Sequence, residues 1–226
     1  MSLFNIDNTI NVENNSTPRL KSNEIHKVQL KEVKAEELKG KDGKNYSVIY
    51  LKFQNNEGAV YEQRFFSPTS TEAVGDGAFG KQPTDLSQFR YTIQHFIEAL
   101  NPGLFKQIKE GKKFAIKDWD SMRKFVVQAF TPGVNTDIYL KLVADNKGYA
   151  TIPKYPVSVS KSGELYMKTR FVASEEHYNE KPIVFTDQEK KTMENQAKAD
   201  SAKPSSMSEI DFEKGKSSKE DPEFDI

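Results

Sequence analysis

The chain contains no cysteine, so disulfides and thiolate chemistry are excluded, and a reducing cytoplasm is the default compartment. Its three histidines, His26, His95 and His177, are far apart, which speaks against a zinc site. No run of about 18 apolar residues is present, and mean hydropathy is −0.72. A membrane-spanning helix is therefore not expected. The opening Met1-Ser2-Leu3-Phe4-Asn5 has neither the basic start nor the apolar core of a secretory signal. Catalytic signatures are equally scarce. There is no Gly-Lys-Ser/Thr phosphate loop and no Gly-x-Ser-x-Gly elbow. Gly75, Gly77 and Gly80 match a dinucleotide fingerprint by letter, but no tight strand-to-helix turn surrounds them and Pro83 intervenes before the next helix. No carboxylate has the apolar sequence context that would lift its pKa for acid–base work. These absences predict no catalytic residues, no metal, no cofactor and no enzymatic activity.

Formal net charge is zero, but it is unevenly spread. Residues 21–185 hold 25 Lys and Arg against 20 Asp and Glu, a surplus of +5. Residues 186–226 hold 7 against 11, and the first twenty hold one Arg against two acids. A mildly basic body followed by an acidic tail is more informative than the total.

Residues 1–20 are rich in asparagine and read as a flexible arm. A β pattern follows. Residues 25–33 alternate, Asp42-Gly43 marks a turn, and residues 46–54 place Ile49, Leu51 and Phe53 on one face with Tyr46, Val48, Tyr50 and Lys52 on the other. After a turn at Asn55-Asn56-Glu57-Gly58, residues 59–66 complete a three-stranded meander. Residues 67–84 read as a long loop. Apolar spacing then predicts helices over 85–100, capped by Asp85, over 104–110, and after Asp120, with a short strand at 114–116 between the last two. Strand signals resume at 137–144, 149–152, 157–159 and 165–171. Residues 186–226 are too poor in large apolar side chains to offset the entropy of ordering and are expected to be disordered, with at most a fraying helix over 186–203.

Three strands, a helical stretch and two or more further strands is the order of an OB-fold, a five-stranded Greek-key barrel. The expected architecture is β-rich (α+β): an OB-like barrel over residues 21–185, with a helical insertion at about 67–133 between strands three and four, and a disordered acidic tail. An α+β sheet with helices on one face is the alternative.

The outer strand faces carry aromatic residues interleaved with cations. Tyr46, Tyr50, Tyr139, Tyr149 and Tyr155 are candidates to stack on bases, and Lys52, Arg64, Lys141 and Lys154 to neutralise phosphates, the combination single-stranded nucleic acid requires. The competing reading of each tyrosine is cross-strand packing. The tail ends Asp221-Pro222-Glu223-Phe224-Asp225-Ile226, and a similar string occupies 208–213. Isolated apolar residues among acids suit a partner's pocket with a basic rim, and the bland alternative is a solubilising tail.

The stretches Val28-x-Leu30-Lys31, Gly43-Lys44-x-Tyr46, Leu51-x-Phe53, Phe65-x-x-Pro68, Leu140-Lys141-Leu142-Val143 and Asn146-Lys147-Gly148-Tyr149-Ala150-Thr151-Ile152-Pro153 resemble OB-fold single-stranded DNA-binding proteins of tailed bacteriophages over about residues 24–178. The tail looks like the docking tail of bacterial and phage proteins of that kind. Bacterial tails close on Pro-Phe, whereas this one closes on Phe224-Asp225-Ile226 with Pro222 displaced. The resemblance implies coating of single-stranded DNA during replication, recombination or repair in an infected host's cytoplasm, with Asp221, Glu223, Phe224, Asp225 and Ile226 docking replication or recombination proteins. Homo-oligomerisation stays open. The alternative is a non-enzymatic phage structural, virion-cargo or assembly protein.

Overall fold

The computed structural model describes residues 17–70, 72, 74–77, 80–154 and 156–201. The chain opens with strands β1 (Glu24–Lys39), β2 (Asn45–Gln54) and β3 (Val60–Phe65), the expected antiparallel meander. In both turns a side-chain acceptor takes amides that the turn leaves unpaired, Asp42 Oδ1 that of Lys44 (3.1 Å) in the first. Asn55 Oδ1 accepts from the amides of Glu57 (3.1 Å) and Ala59 (2.8 Å). Gly58, at φ +83°, then turns the chain back in a conformation that side-chain-bearing residues rarely adopt.

Strand β1 runs to Lys39, six residues beyond its expected end. Its first half pairs with β6 (Asp137–Ala144) and its second half with β2. A register slip at Lys31, between the Leu30↔Phe53 and Glu32↔Lys52 pairs, bends the strand so that it can serve both partners. The main sheet is antiparallel in the order β10 (Val172–Ser174), β6, β1, β2, β3, with β7 (Ala150–Thr151) also on β6. Fourth beside first, then second and third, is a Greek-key order. The sheet curls into a half-barrel.

Helices α1 (Asp85–Leu100), α2 (Pro102–Lys109) and α3 (Trp119–Phe130) fill the interval between β3 and β6. Thr84 caps α1 by accepting from the Ser87 amide, with Asp85 in the first turn where the helix dipole favours an acid. Asp118, not Asp120, caps α3 (Ser121 N–H to Asp118 Oδ1, 2.7 Å). Asn101 joins all three helices: it ends α1, its Oδ1 caps α2 through the Leu104 amide (3.1 Å), and its Nδ2 donates to the Ala129 carbonyl (3.0 Å). Residues 114–116, expected as a strand, form none. The expected 67–84 loop contains a hairpin, β4 (Val74–Gly77) with β5 (Gly80–Pro83), so the three spaced glycines belong to two short strands.

The core lies between the concave sheet face and helices α1 and α3. Leu30, Ile49, Leu51, Phe53, Ile138, Leu140 and Leu142 meet Phe89, Ile93, Phe96, Val126 and Phe130. Phe96 is the hub, stacked on Phe53 at 5.7 Å and meeting Phe171 at 5.5 Å and Phe130 at 5.8 Å. Beyond β7, hairpin β8 (Val157–Val159) with β9 (Leu165–Met167) leads to β10 and then to helix α4 (Glu175–Glu180). Helix α5 (Asp187–Ser201) follows, within the 186–203 stretch for which the sequence allowed at most a fraying helix. Among the described residues no helix is long and apolar enough to cross a membrane.

Candidate nucleic-acid interface

The outer face of β1–β2–β3 is a charge lattice around one tyrosine. Tyr50 is buried, with the Lys34 ammonium 4.6 Å and the Arg64 guanidinium 4.9 Å from its ring centre. Burial, followed by the Glu62 carboxylate, pushes its phenol up to about 12. Lys34 pairs with Glu32 (3.1 Å) and Glu36 (3.5 Å), and Arg64 with Glu36 (3.2 Å) and Glu62 (3.4 Å). Lys52 has Glu32 and Glu62 as its cross-strand neighbours. Here the cations are matched by acids, and the ring expected to stack on a base is already covered by Lys34 and Arg64. Tyr46 is exposed; its hydroxyl donates to Asp42 (2.8 Å) and its ring meets Phe66 edge-on at 6.1 Å.

The outer face of β6 is covered too, which corrects two expectations. Tyr139 lies flat against Tyr178 of α4, with ring centres 3.7 Å apart and planes within 6°. Lys141, expected to neutralise phosphate, has no exposed surface. Its Nζ donates to Thr169, to the Val184 carbonyl (3.1 Å) and to Glu189 of α5 (2.9 Å). Burial lowers its pKa, against an upward pull from Glu189. Strand alternation had placed both residues on the correct face; the segment from Thr169 to α5 then folds over it.

The open surface lies at the seam of the half-barrel, where β3 and β7 approach without a ladder. The Tyr61 hydroxyl spans this seam, accepting from the buried Ile152 amide at 3.1 Å. Beside it runs a groove of about 1000 Å³ that brings together Arg64 and Phe66 from the end of β3, Lys147 from the β6–β7 turn, and Lys154. Asp85 and Asp145 also line it, the first accepting from Thr69 and the second from the Lys147 (2.8 Å) and Tyr149 (2.9 Å) amides. A second hollow of about 900 Å³ adjoins along β3 and β7 and gathers Arg19, Lys21 and Tyr149, with Glu24 and Glu62. Phe66 (53% exposed) and Tyr149 (69%) are the aromatic rings most open to solvent here.

Of the expected residues, the seam thus unites Arg64, Lys154 and Tyr149, while Tyr46 stands near through Phe66. Lys52, Tyr50, Tyr139 and Lys141 are elsewhere. Tyr155 and the tail residues Asp221, Glu223, Phe224, Asp225 and Ile226 lie outside the described residues. Phe66, Lys147, Arg19 and Lys21 were not singled out. Phe66 carried a signal: in the pair Phe65-Phe66 alternation turns one ring in, as Phe65 does towards the core, and the other out. Among the described residues no three His, Asp or Glu side chains group so as to hold a metal ion.

The chain matches no protein-family model, no curated protein and no solved structure.

Proposed function

We propose that this chain binds single-stranded nucleic acid, single-stranded DNA in the first instance, along the seam of its curled sheet. One observation carries the reading: Arg64, Lys147 and Lys154 converge on a single groove with Phe66 on its wall and Tyr149 in the adjoining hollow. Stacking rings beside phosphate-pairing cations is what a sequence-tolerant strand binder needs. The Greek-key order supports an OB-like barrel whose helices lie between the third and fourth strands. Such barrels bind oligonucleotides on strands two and three and on the loops joining strands one to two and four to five. In this chain those loops are the turns at 40–44 and 145–149, which carry Lys41, Lys44, Lys147 and Tyr149. The bacteriophage resemblance and the acidic, apolar-tipped tail extend the proposal to a strand-coating, non-enzymatic protein of an infected host cytoplasm. Residues 221–226 would then dock a replication or recombination partner.

The test is a salt titration of binding to a labelled oligothymidylate. Releasing counterions from about three to five phosphates gives a log–log slope of roughly −2 to −3.5. Replacing Arg64, Lys147 and Lys154 by alanine should flatten that slope. Phe66→Ala or Tyr149→Ala should cost about 1–3 kcal/mol each and leave the slope unchanged. A non-enzymatic assembly or interaction protein is the second reading, favoured by the packing of Tyr50 and Tyr139 into covered positions. Absence of oligonucleotide binding at low salt would select it.

A further inference from the structure

Helix α5 is held by little that is apolar. None of its described side chains is buried. A polar helix of 15 residues without a packed face is marginal by itself. Its anchor is Glu189, whose carboxylate has three partners, one of them the Thr169 hydroxyl, which donates to it at 3.4 Å. In the Thr186-x-x-Glu189 capping box it accepts from the Thr186 amide (2.7 Å), while the Glu189 amide donates to Thr186 Oγ1 (3.2 Å). The same carboxylate pairs with the fully buried Lys141 at 2.9 Å. Further ties are polar: Lys168 to Gln188 at 2.8 Å and Asn23 to Gln196 at 3.5 Å.

Beneath α5 lies a cavity of about 210 Å³, and its walls show where it leads. Val143, Ala144, Pro153 and Lys154 line both this cavity and the seam groove. The groove and the cavity therefore share a wall, and Glu189 lines the cavity with Lys141 buried behind its carboxylate. A buried ammonium is costly to leave unpaired, so a group that displaces the Glu189 carboxylate must itself bring a negative charge.

We propose that α5 is a releasable clasp on the seam groove: a nucleic-acid strand long enough to pass beneath it lifts Glu189 off Lys141, and a backbone phosphate takes the carboxylate's place. This rests on reading the seam as the strand-binding groove. It predicts a longer footprint with α5 released than with α5 docked, and one additional phosphate contact.

The chain has no cysteine, so Asn23→Cys with Gln196→Cys places its only two thiols across the clasp. Each preparation is compared with itself before and after treatment with a short bismaleimide, using oligothymidylates of increasing length. Before cross-linking, a long oligonucleotide should speed hydrogen exchange of the α5 amides. Cross-linking should weaken binding of long oligonucleotides at least tenfold, spare short ones, and flatten the salt slope by about 0.7, the loss of one single-strand phosphate contact. In Glu189→Gln, which keeps the cap's oxygen and removes its charge, α5 should exchange faster without nucleic acid and long oligonucleotides should bind more tightly. If both forms bind alike at every length and α5 stays protected in the complex, the clasp is overturned and the groove reading stands. If neither form binds, both fall.

Discussion

Tyr61→Phe tests how the seam is held. The tyrosine ring is buried on β3 and stacked on Phe53 with centres 6.2 Å apart, and phenylalanine keeps that packing. Only the hydroxyl goes. It accepts from the buried Ile152 amide at 3.1 Å and donates to Gln63. Ile152 has no ladder partner to fall back on, because β7 pairs with β6 only through Ala150 and Thr151. Removing the acceptor strands a buried N–H, which costs about 1–3 kcal/mol. For a domain of this size each kcal/mol moves Tm by roughly 2–4 °C, so Tm should fall by roughly 2–12 °C. Circular dichroism on heating gives the shift, and amide exchange at Ile152 shows whether the loss is local to the seam. If the groove carries a strand, oligonucleotide affinity should also fall with no change in salt slope, since no cation is removed. An unchanged Tm together with unchanged protection at Ile152 would refute the role given to this hydroxyl.

Gly133→Ala should destabilise the core by about 1–3 kcal/mol by overpacking. A Cβ there would sit 2.6 Å from both the Cβ and the carbonyl oxygen of Leu100, where α1 ends, so backbone must move. The urea midpoint should drop at constant m-value, and a wild-type midpoint would show that the α1 terminus yields freely. Alkali gives an independent check on Tyr61, whose phenol burial pushes up from 10.0 to about 12. A group with a raised folded-state pKa contributes stability that is complete below its unfolded value and is lost as pH climbs through the folded value. Wild type should therefore lose about 3 kcal/mol more than Tyr61→Phe between pH ~10 and ~12. Denaturant melts of the two proteins side by side would show it, and parallel curves across that window would contradict it.

The strands that were legible were those whose own residues alternate. Ile49, Leu51 and Phe53 were readable as an inward face, and the spacing of Phe89, Ile93, Phe96 and Leu100 as a buried helical stripe. The second half of β1 was not legible, because Lys34-Ala35-Glu36-Glu37-Leu38-Lys39 is rich in helix-forming residues. It is a strand because β2 pairs with it residue by residue and because Lys34 and Glu36 join the lattice around Tyr50. Tertiary pairing overrides local preference there. Helix α5 is the opposite case. Its signal, Thr186-x-x-Glu189, is local and present in the sequence, but the polar composition around it allowed no more than a fraying helix. Polar composition shows that a helix cannot be held by a core, and it leaves open one held by a single buried charge.

That distinction explains the site as well. Alternation along β6 states which way Tyr139 and Lys141 point and is silent on what lies above them. The covering groups come from far down the chain: Thr169 is 28 residues from Lys141, and Glu189 is 48. Tyrosine and lysine give no warning, since each has an apolar body that tolerates cover and a polar end that needs a partner once covered. The same amphipathic chemistry makes both residue types fit for nucleic acid. Only when the sheet curls do Arg64, Lys147 and Lys154 come to share one groove, although the β6–β7 turn begins 80 residues after the end of β3. The register slip at Lys31 lies where β1 passes from β6 to β2, and slips of this kind bend a strand, so a residue outside the groove's lining contributes to the curl that brings these side chains together. Surface composition could nominate candidates here, but only the curl of the sheet shows which of them share a groove.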